Sequence, residues 1–138
     1  SLPDEAIETH IAQAANAPSP ISLMHLYPID GAVHRVAKDA TAWNTRDATW
    51  SMVIAAIDAD PQRADALKAW GRAYWKAVHP FNLGGAYVNF MMDDEAEGRL
   101  QATYGDNYQR LASIKAKYDP KNLFRVNQNI TPGGVARA

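Results

Sequence analysis

The chain has 138 residues, of which 47% are apolar, and a formal net charge of −1 at neutral pH. This length suits one domain with a real core, and the composition is that of a globular protein. The near-neutral charge gives no basic face for nucleic acid, and no apolar run reaches the roughly 20 residues that a membrane span requires.

Cysteine is absent from the sequence, which excludes disulfides, thiolate metal sites and cysteine nucleophiles. We predict no metal site. Residues 2–17 begin acidic and polar and do not resemble a signal peptide. The cellular compartment stays open at this stage, with the cytoplasm favoured.

The first third of the chain predicts a helix followed by a hairpin. Pro3 to Ala15 has an apolar helical face and acidic residues in its first turns. Ile21–Tyr27 and Ala32–Val36 alternate as strands do, and a turn sequence that ends at Gly31 separates them. His25 stands on the first of these strands.

The middle of the chain predicts a strand, a long helix and a further strand. Trp50 to Ile57 is apolar on both faces, which favours a central strand. Asp60 and Pro61 suit the cap and first position of a helix that continues to about His79. Ala86 to Phe90 is predicted as a strand that carries its polar side chains on one face.

The last third predicts a helical turn over Glu97–Thr103 and then a capped amphipathic helix. Asp106 is the predicted N-cap, and Asp119-Pro120 ends the helix because a residue before proline leaves the helical region. Three consecutive carboxamides follow at positions 127–129. Strands with helices on one side indicate an α+β fold, with a mostly antiparallel sheet covered on one side by helices. We predict that residues 1–138 form a single domain.

Three quoted stretches resemble one known family. They are YGDNYxRL at 104–111, IKxKYDPxNLFR at 114–125 and NQNI at 127–130. These sequence motifs are similar to the C-terminal signature of berberine bridge enzyme-like, FAD-linked oxidases. Members of that family carry a larger N-terminal FAD-binding domain, and no Gly-rich phosphate-binding loop is visible here. The resemblance therefore implies the C-terminal, substrate-domain portion of a larger flavoprotein, inactive by itself.

The resemblance also implies roles for particular residues. The family chemistry removes a hydride from carbon while a base takes a proton, and FAD passes the electrons to dioxygen. A phenol serves as such a base when a hydrogen bond stabilises its phenolate. Carboxamides can donate to the flavin ring carbonyls and accept from its N3–H. The implied assignments are Tyr87 as the base or its partner, Asn89 as its orienting neighbour or a flavin contact, Asn127, Gln128 and Asn129 as flavin contacts, and His25 on the substrate side.

Two departures from the family pattern limit the mechanism. The family often has Phe-Pro-His-Arg where residues 43–46 read Trp-Asn-Thr-Arg. Of these four residues, only the arginine, Arg46, matches the family pattern. Some plant members place a carboxylate or carboxamide base on the following strand. The equivalent positions here, Val53 or Ile54, are apolar. A carboxylate base of the plant type is therefore not expected.

A second hypothesis belongs to another class. The segment is then a catalytically silent domain, or a binding and dimerisation module that self-associates through an exposed sheet face. On the first hypothesis the partners are a small-molecule substrate and the FAD-binding domain of the same parent chain. A flavin spectrum in the purified protein discriminates between the two hypotheses.

Overall fold

The computed structural model describes residues 2–91 and 97–133. Those residues form two compact units. The first unit combines the described part of Ser1–Asp30 with Ala48–Asn82, and the second combines Gly31–Asp47 with the described part of Leu83–Ala138. The helices and strands are α1 (Asp4–Ala15), β1 (Leu23–Pro28), α2 (Ala32–Arg35), β2 (Trp50–Ala55), α3 (Ala64–Val78), α4 (Glu97–Tyr104) and α5 (Tyr108–Tyr118), with 3₁₀ turns at Pro61–Arg63, His79–Phe81, Val88–Phe90 and Gly105–Asn107.

The first unit is a two-stranded antiparallel sheet with α3 packed on one face. β1 and β2 pair so that Met24 lies opposite Ile54 and His25 lies opposite Val53. Because strand side chains alternate, Met24 and Ile54 face α3. The core is Trp70, Tyr74 and Val78 of α3, against which Ala17, Met24, Met52, Ile54 and Ala56 pack.

Helix α1 packs on α3 through polar and aromatic contacts. The Trp70 indole donates a hydrogen bond to the Gln13 carbonyl at 2.9 Å. His10 Nδ1 lies 3.0 Å from the Tyr74 hydroxyl, and the two rings meet edge to face. The predicted α+β class, with an antiparallel sheet and helices on one side, is confirmed. The single-domain prediction for residues 1–138 stays a prediction.

Residue 60 begins the long helix as its sequence predicts. The Asp60 carboxylate accepts the backbone N–H of Gln62 at 2.9 Å, and Pro61 takes the first position of the 3₁₀ turn that leads into α3. The α1, β1, α4 and α5 predictions agree with the structure to within two residues at the predicted ends, and α5 stops at Tyr118, before Asp119-Pro120.

The predicted hairpin is wrong in its second strand. Residues 32–35 form the short helix α2, and β1 pairs with β2 instead. β2 is therefore the hydrogen-bonded neighbour of β1. A further bond from the Ile29 N–H to the Thr49 carbonyl extends that pairing. Among the described residues β2 has this one strand partner, so its predicted central position is not what the structure shows.

The predicted cap of α5 is also displaced. Gly105–Asn107 forms a 3₁₀ turn, and Asn107 occupies the cap position without capping the helix through its side chain. Its side-chain amide instead donates to the carbonyls of Lys38, Thr41 and Ala42, at 2.7, 3.1 and 3.4 Å. Of the helices that the structure describes, none is long and apolar enough to cross a membrane.

Candidate functional site

Tyr87 and Asn89 stand at a 3₁₀ turn, where a strand is predicted. Tyr87 has extended backbone angles, and the N–H of Phe90 then bonds to the Tyr87 carbonyl at 2.9 Å. A strand needs a ladder partner. In the described parts of the chain no strand pairs with residues 86–90, and the N–H groups of Phe90 and Met91 bond within the turn, to the Tyr87 and Val88 carbonyls.

The turn nevertheless brings the two predicted side chains together. Asn89 Nδ2 donates a hydrogen bond to the Tyr87 hydroxyl at 2.7 Å. The Tyr87 ring also meets the Phe90 ring edge to face, with centroids 5.3 Å apart. Tyr87 is 54% exposed, so its oxygen is oriented by a neighbour and still accessible to a ligand.

The carboxamide segment has an irregular backbone. Asn127 has a φ of 62°, in the left-handed region that asparagine tolerates better than most residues. The N–H of Asn129 bonds to the Asn127 carbonyl at 2.9 Å, which makes a tight bend. Gln128 Nε2 donates to the Met91 carbonyl at 3.4 Å.

The turn and the carboxamide segment border the same open concavity, of about 440 Å³. Three of the five residues predicted to bind cofactor or take the proton, Asn89, Asn127 and Gln128, line it, and Tyr87 is bonded to the first of them. Their roles stay predictions. The full lining is Val88, Asn89, Met91, Val126, Asn127 and Gln128.

Asn129 supplies a further polar group, an acceptor that lacks a hydrogen-bond donor. Its Oδ1 is buried and has no hydrogen-bond partner among the described residues, a property shared with Arg46 Nε and Asn122 Oδ1. A buried acceptor without a donor is costly unless a ligand supplies one. The flavin ring carries one N–H donor and two carbonyl acceptors, so this orphaned oxygen and the neighbouring carboxamides fit such a ring.

His25 belongs to the first unit, on the face of β1 that does not pack on α3. Its Nδ1 lies 2.7 Å from the Tyr27 hydroxyl, and the rings meet edge to face. Cross-strand from His25 is Val53. Ile54, the other position that the resemblance offers as the equivalent of the plant base, faces α3.

Sequence reasoning missed Tyr27 as a partner of His25. The signal was available, because residues two apart on a strand share a face. It also missed the Met91 carbonyl, which accepts a bond that no side-chain pattern encodes. Within residues 2–91 and 97–133, no group of three or more His, Cys, Asp or Glu residues is placed to hold a metal ion.

Comparison with known proteins gives a family. A family model described as "Berberine and berberine like" matches residues 86–131, a range that contains Tyr87, Asn89 and all three carboxamides at 127–129. The chain is 36% identical over 102 residues to an uncharacterized FAD-linked oxidoreductase of Bacillus subtilis, which covers 74% of this chain and 22% of that protein.

Two further relatives act on sugars by name. A chitooligosaccharide oxidase of Gibberella zeae is 45% identical over 49 residues, which is 35% of this chain and 10% of that protein. The solved structure of a glycopeptide hexose oxidase complexed with teicoplanin is 25% identical with a TM-score of 0.78, over 95% of this chain and 30% of that one.

The chain is a member of the berberine bridge enzyme-like family of FAD-linked oxidoreductases. The resemblance found in the sequence is thereby confirmed. The chain spans about a quarter of the length of the curated relatives that it matches over most of its own length.

Proposed function

We propose that the complete protein is an FAD-dependent oxidase of a small organic substrate, at an alcohol, sugar or amine carbon, with dioxygen as acceptor. Its relatives are FAD-linked oxidoreductases, which supports this reaction class. The names of the chitooligosaccharide oxidase and the hexose oxidase favour a sugar hydroxyl among the three substrate types.

The hydrogen bond from Asn89 to Tyr87 is the observation that carries the mechanism. It fixes the phenol oxygen and stabilises negative charge on it, as a base requires. FAD, when bound, supplies the hydride acceptor. As the C–H electron pair leaves the substrate, the Tyr87 phenolate takes the O–H or N–H proton. A carbon–oxygen or carbon–nitrogen double bond forms.

The carboxamides act by orientation. Asn127 and Gln128 line the concavity, and Asn129 brings an acceptor that no described residue satisfies. Their donors suit the flavin carbonyls, and the Asn129 oxygen suits the N3–H. In the first unit, the His25–Tyr27 pair offers a substrate hydroxyl one donor and one acceptor.

The test is Tyr87→Phe in the complete protein, which removes one hydroxyl and keeps the ring. Flavin reduction under anaerobic conditions should slow by about 10²–10⁴-fold, the usual worth of a positioned general base. The acid limb of its pH profile should also disappear. Tyr118→Phe is the matched control, because Tyr118 is an exposed tyrosine at the end of α5.

If Tyr87→Phe reduces flavin at the parental rate and with the parental pH profile, Tyr87 is a structural residue. The base is then to be sought at His25, where His25→Gln repeats the measurement. Loss of bound flavin in Tyr87→Phe, at a normal reduction rate for the fraction still loaded, contradicts the base role in the same way.

We also propose that FAD is held mainly by a separate FAD-binding domain in the part of the protein that this chain does not span. Phosphate binding commonly uses Gly-rich loops at helix N-termini. The 138-residue segment alone should therefore bind FAD weakly and show no oxidase activity. Titration of the segment with FAD, followed by flavin fluorescence, checks this, and tight stoichiometric binding contradicts it.

The second candidate function is self-association without chemistry. Leu23, His25 and Tyr27 share the face of β1 that α3 leaves open, and Leu23 and Tyr27 are among the exposed large apolar residues. Sedimentation velocity should then show a dimer that Tyr27→Lys dissociates, in a preparation without a flavin spectrum. A yellow monomer with oxidase activity contradicts this candidate.

A further inference from the structure

The chain turns sharply after α5 around one carboxylate. Asp119 Oδ1 accepts the N–H of Leu123 at 2.8 Å, and Oδ2 accepts the N–H of Phe124 at 3.0 Å. The Lys115 ammonium donates to the same Oδ2 and to the Phe124 carbonyl, both at 2.5 Å. Lys115 and Asp119 therefore hold both backbone groups of Phe124, and we call this arrangement the Lys115–Asp119 clamp.

Apolar packing does not fix this turn. Leu123 is 71% exposed and Phe124 is 81% exposed, so neither side chain anchors the backbone. The side chains of the ion pair are 17% and 10% exposed, which leaves their attraction less screened than at an open surface. The hydrogen bond from Lys115 is the main cause that holds the pKa of Asp119 below its ordinary value, against the effect of burial.

The same helix holds the chain again further along. The N–H of Gly133 bonds to the Ala112 carbonyl of α5 at 2.9 Å, next to the buried Pro132. The residues between Phe124 and Gly133 are thus attached to α5 at both ends. Asn127, Gln128 and Asn129 lie in the middle of that span.

We propose that Lys115 and Asp119 are positioning residues that set the place of the Asn127–Asn129 carboxamides, and through them the seat of the flavin ring. The inference rests on the proposed function. Neither residue is assigned to contact the flavin. Each acts through the backbone of Phe124, three residues before the first carboxamide.

The test compares Asp119→Asn and Lys115→Gln in the complete protein. Both remove one charge while keeping the approximate shape of the side chain. Protection factors from hydrogen exchange should fall about tenfold or more for residues 123–131, because bonds to charged groups are lost there. FAD should dissociate about tenfold faster, and the visible circular dichroism of the bound flavin should change.

Matched controls lie on the same stretch. Lys117→Gln removes a positive charge from an exposed position on α5 and is the control for Lys115→Gln. Asp106→Asn removes a negative charge from an exposed position just before the helix and is the control for Asp119→Asn. Neither should change segment protection or flavin release. Lys115→Arg keeps a cation in reach of both acceptors and should retain most of the protection.

Unchanged protection of residues 123–131 in both variants overturns the clamp, whatever happens to flavin binding. Loosening of the segment with unchanged flavin release and circular dichroism also overturns it, since positioning would then have no effect. A wild-type protein that binds no FAD overturns the proposed function. The protection factors of residues 123–131 are measured separately, so this failure can be told apart from a failure of the clamp. If Asp119→Asn fails to fold, Lys115→Gln decides.

Discussion

The two units of the chain keep their backbones in place by different means. In the first unit, Trp70, Tyr74 and Val78 form an apolar core against the sheet. In the second unit, two segments without regular secondary structure are held by polar side chains that bond to backbone groups. Asn107 and Arg110 hold residues 38–42, and Lys115 and Asp119 hold residues 123–124. A substitution of one of these polar residues can therefore loosen its segment without removing a core side chain.

The largest effect that tests this difference is expected at Tyr74, which is fully buried. Tyr74→Ala should lower the free energy of unfolding by about 3–5 kcal/mol, the usual loss for a buried aromatic side chain. Urea denaturation measures it. Tyr27→Ala is the control, because that tyrosine is 48% exposed and should lose far less. Equal losses in the two variants would show that the first unit does not depend on this core.

The same difference decides how much of the structure could be predicted from sequence. Where apolar residues repeat, as at Leu67, Trp70 and Tyr74 of α3, period and capping gave the correct elements. Residues 32–36 and 86–90 were predicted as strands because five alternating residues suit a strand. Their conformation instead depends on whether a partner strand is available, which is a long-range property that alternation does not encode.

The candidate site divides in the same way. The residue types at positions 87, 89 and 127–129 could be recognised from the sequence motifs of the family. The bond from Asn89 to Tyr87 could not, since it arises at a 3₁₀ turn and not across a strand face. Likewise, α5 was predicted to be amphipathic, yet Ile114 and Tyr118 on that face are exposed. Tyr108, at the start of the same face, is buried, so the apolar pattern reports packing for the first turn of α5 and not for its end.

The intermediate effect is expected at Asn107, in the second unit. Asn107→Ala removes a donor to three carbonyls and should lower the free energy of unfolding by about 1–3 kcal/mol, because those carbonyls lose their partner. Hydrogen exchange should also quicken at residues 38–42. Gln109→Ala, at an exposed position two residues later, is the control. Unchanged exchange at residues 38–42 would contradict the dependence of this segment on the Asn107 side chain.

The smallest effect concerns pH and the first unit. Burial lowers the pKa of His10 below the ordinary value of 6.5, because desolvation disfavours the charged ring. As pH falls below 6.5, the unfolded chain takes up the proton before the folded one does. Stability should be constant on this account above 6.5 and fall below it, by at most about 1.4 kcal/mol per pH unit.

His10→Gln removes this titration and keeps a side chain that can bond to Tyr74. Its stability should depend less on pH than that of the wild type between pH 6.5 and the folded-state pKa. His25→Gln serves as the comparison, since His25 is exposed. Identical pH dependence in the wild type and in His10→Gln would assign the titration to another group.

The attachment of one segment to α5 at two points has an entropic consequence. Joining the ends of a flexible stretch of roughly nine residues, as between Phe124 and Gly133, costs about 2 kcal/mol by the (3/2)RT ln n relation. Folding of the second unit meets that cost before any ligand arrives. A ring that binds to Asn127–Asn129 then meets a loop that is already closed, so more of its contact energy appears as affinity. Lengthening the stretch with glycines should weaken ligand binding even if every carboxamide is retained.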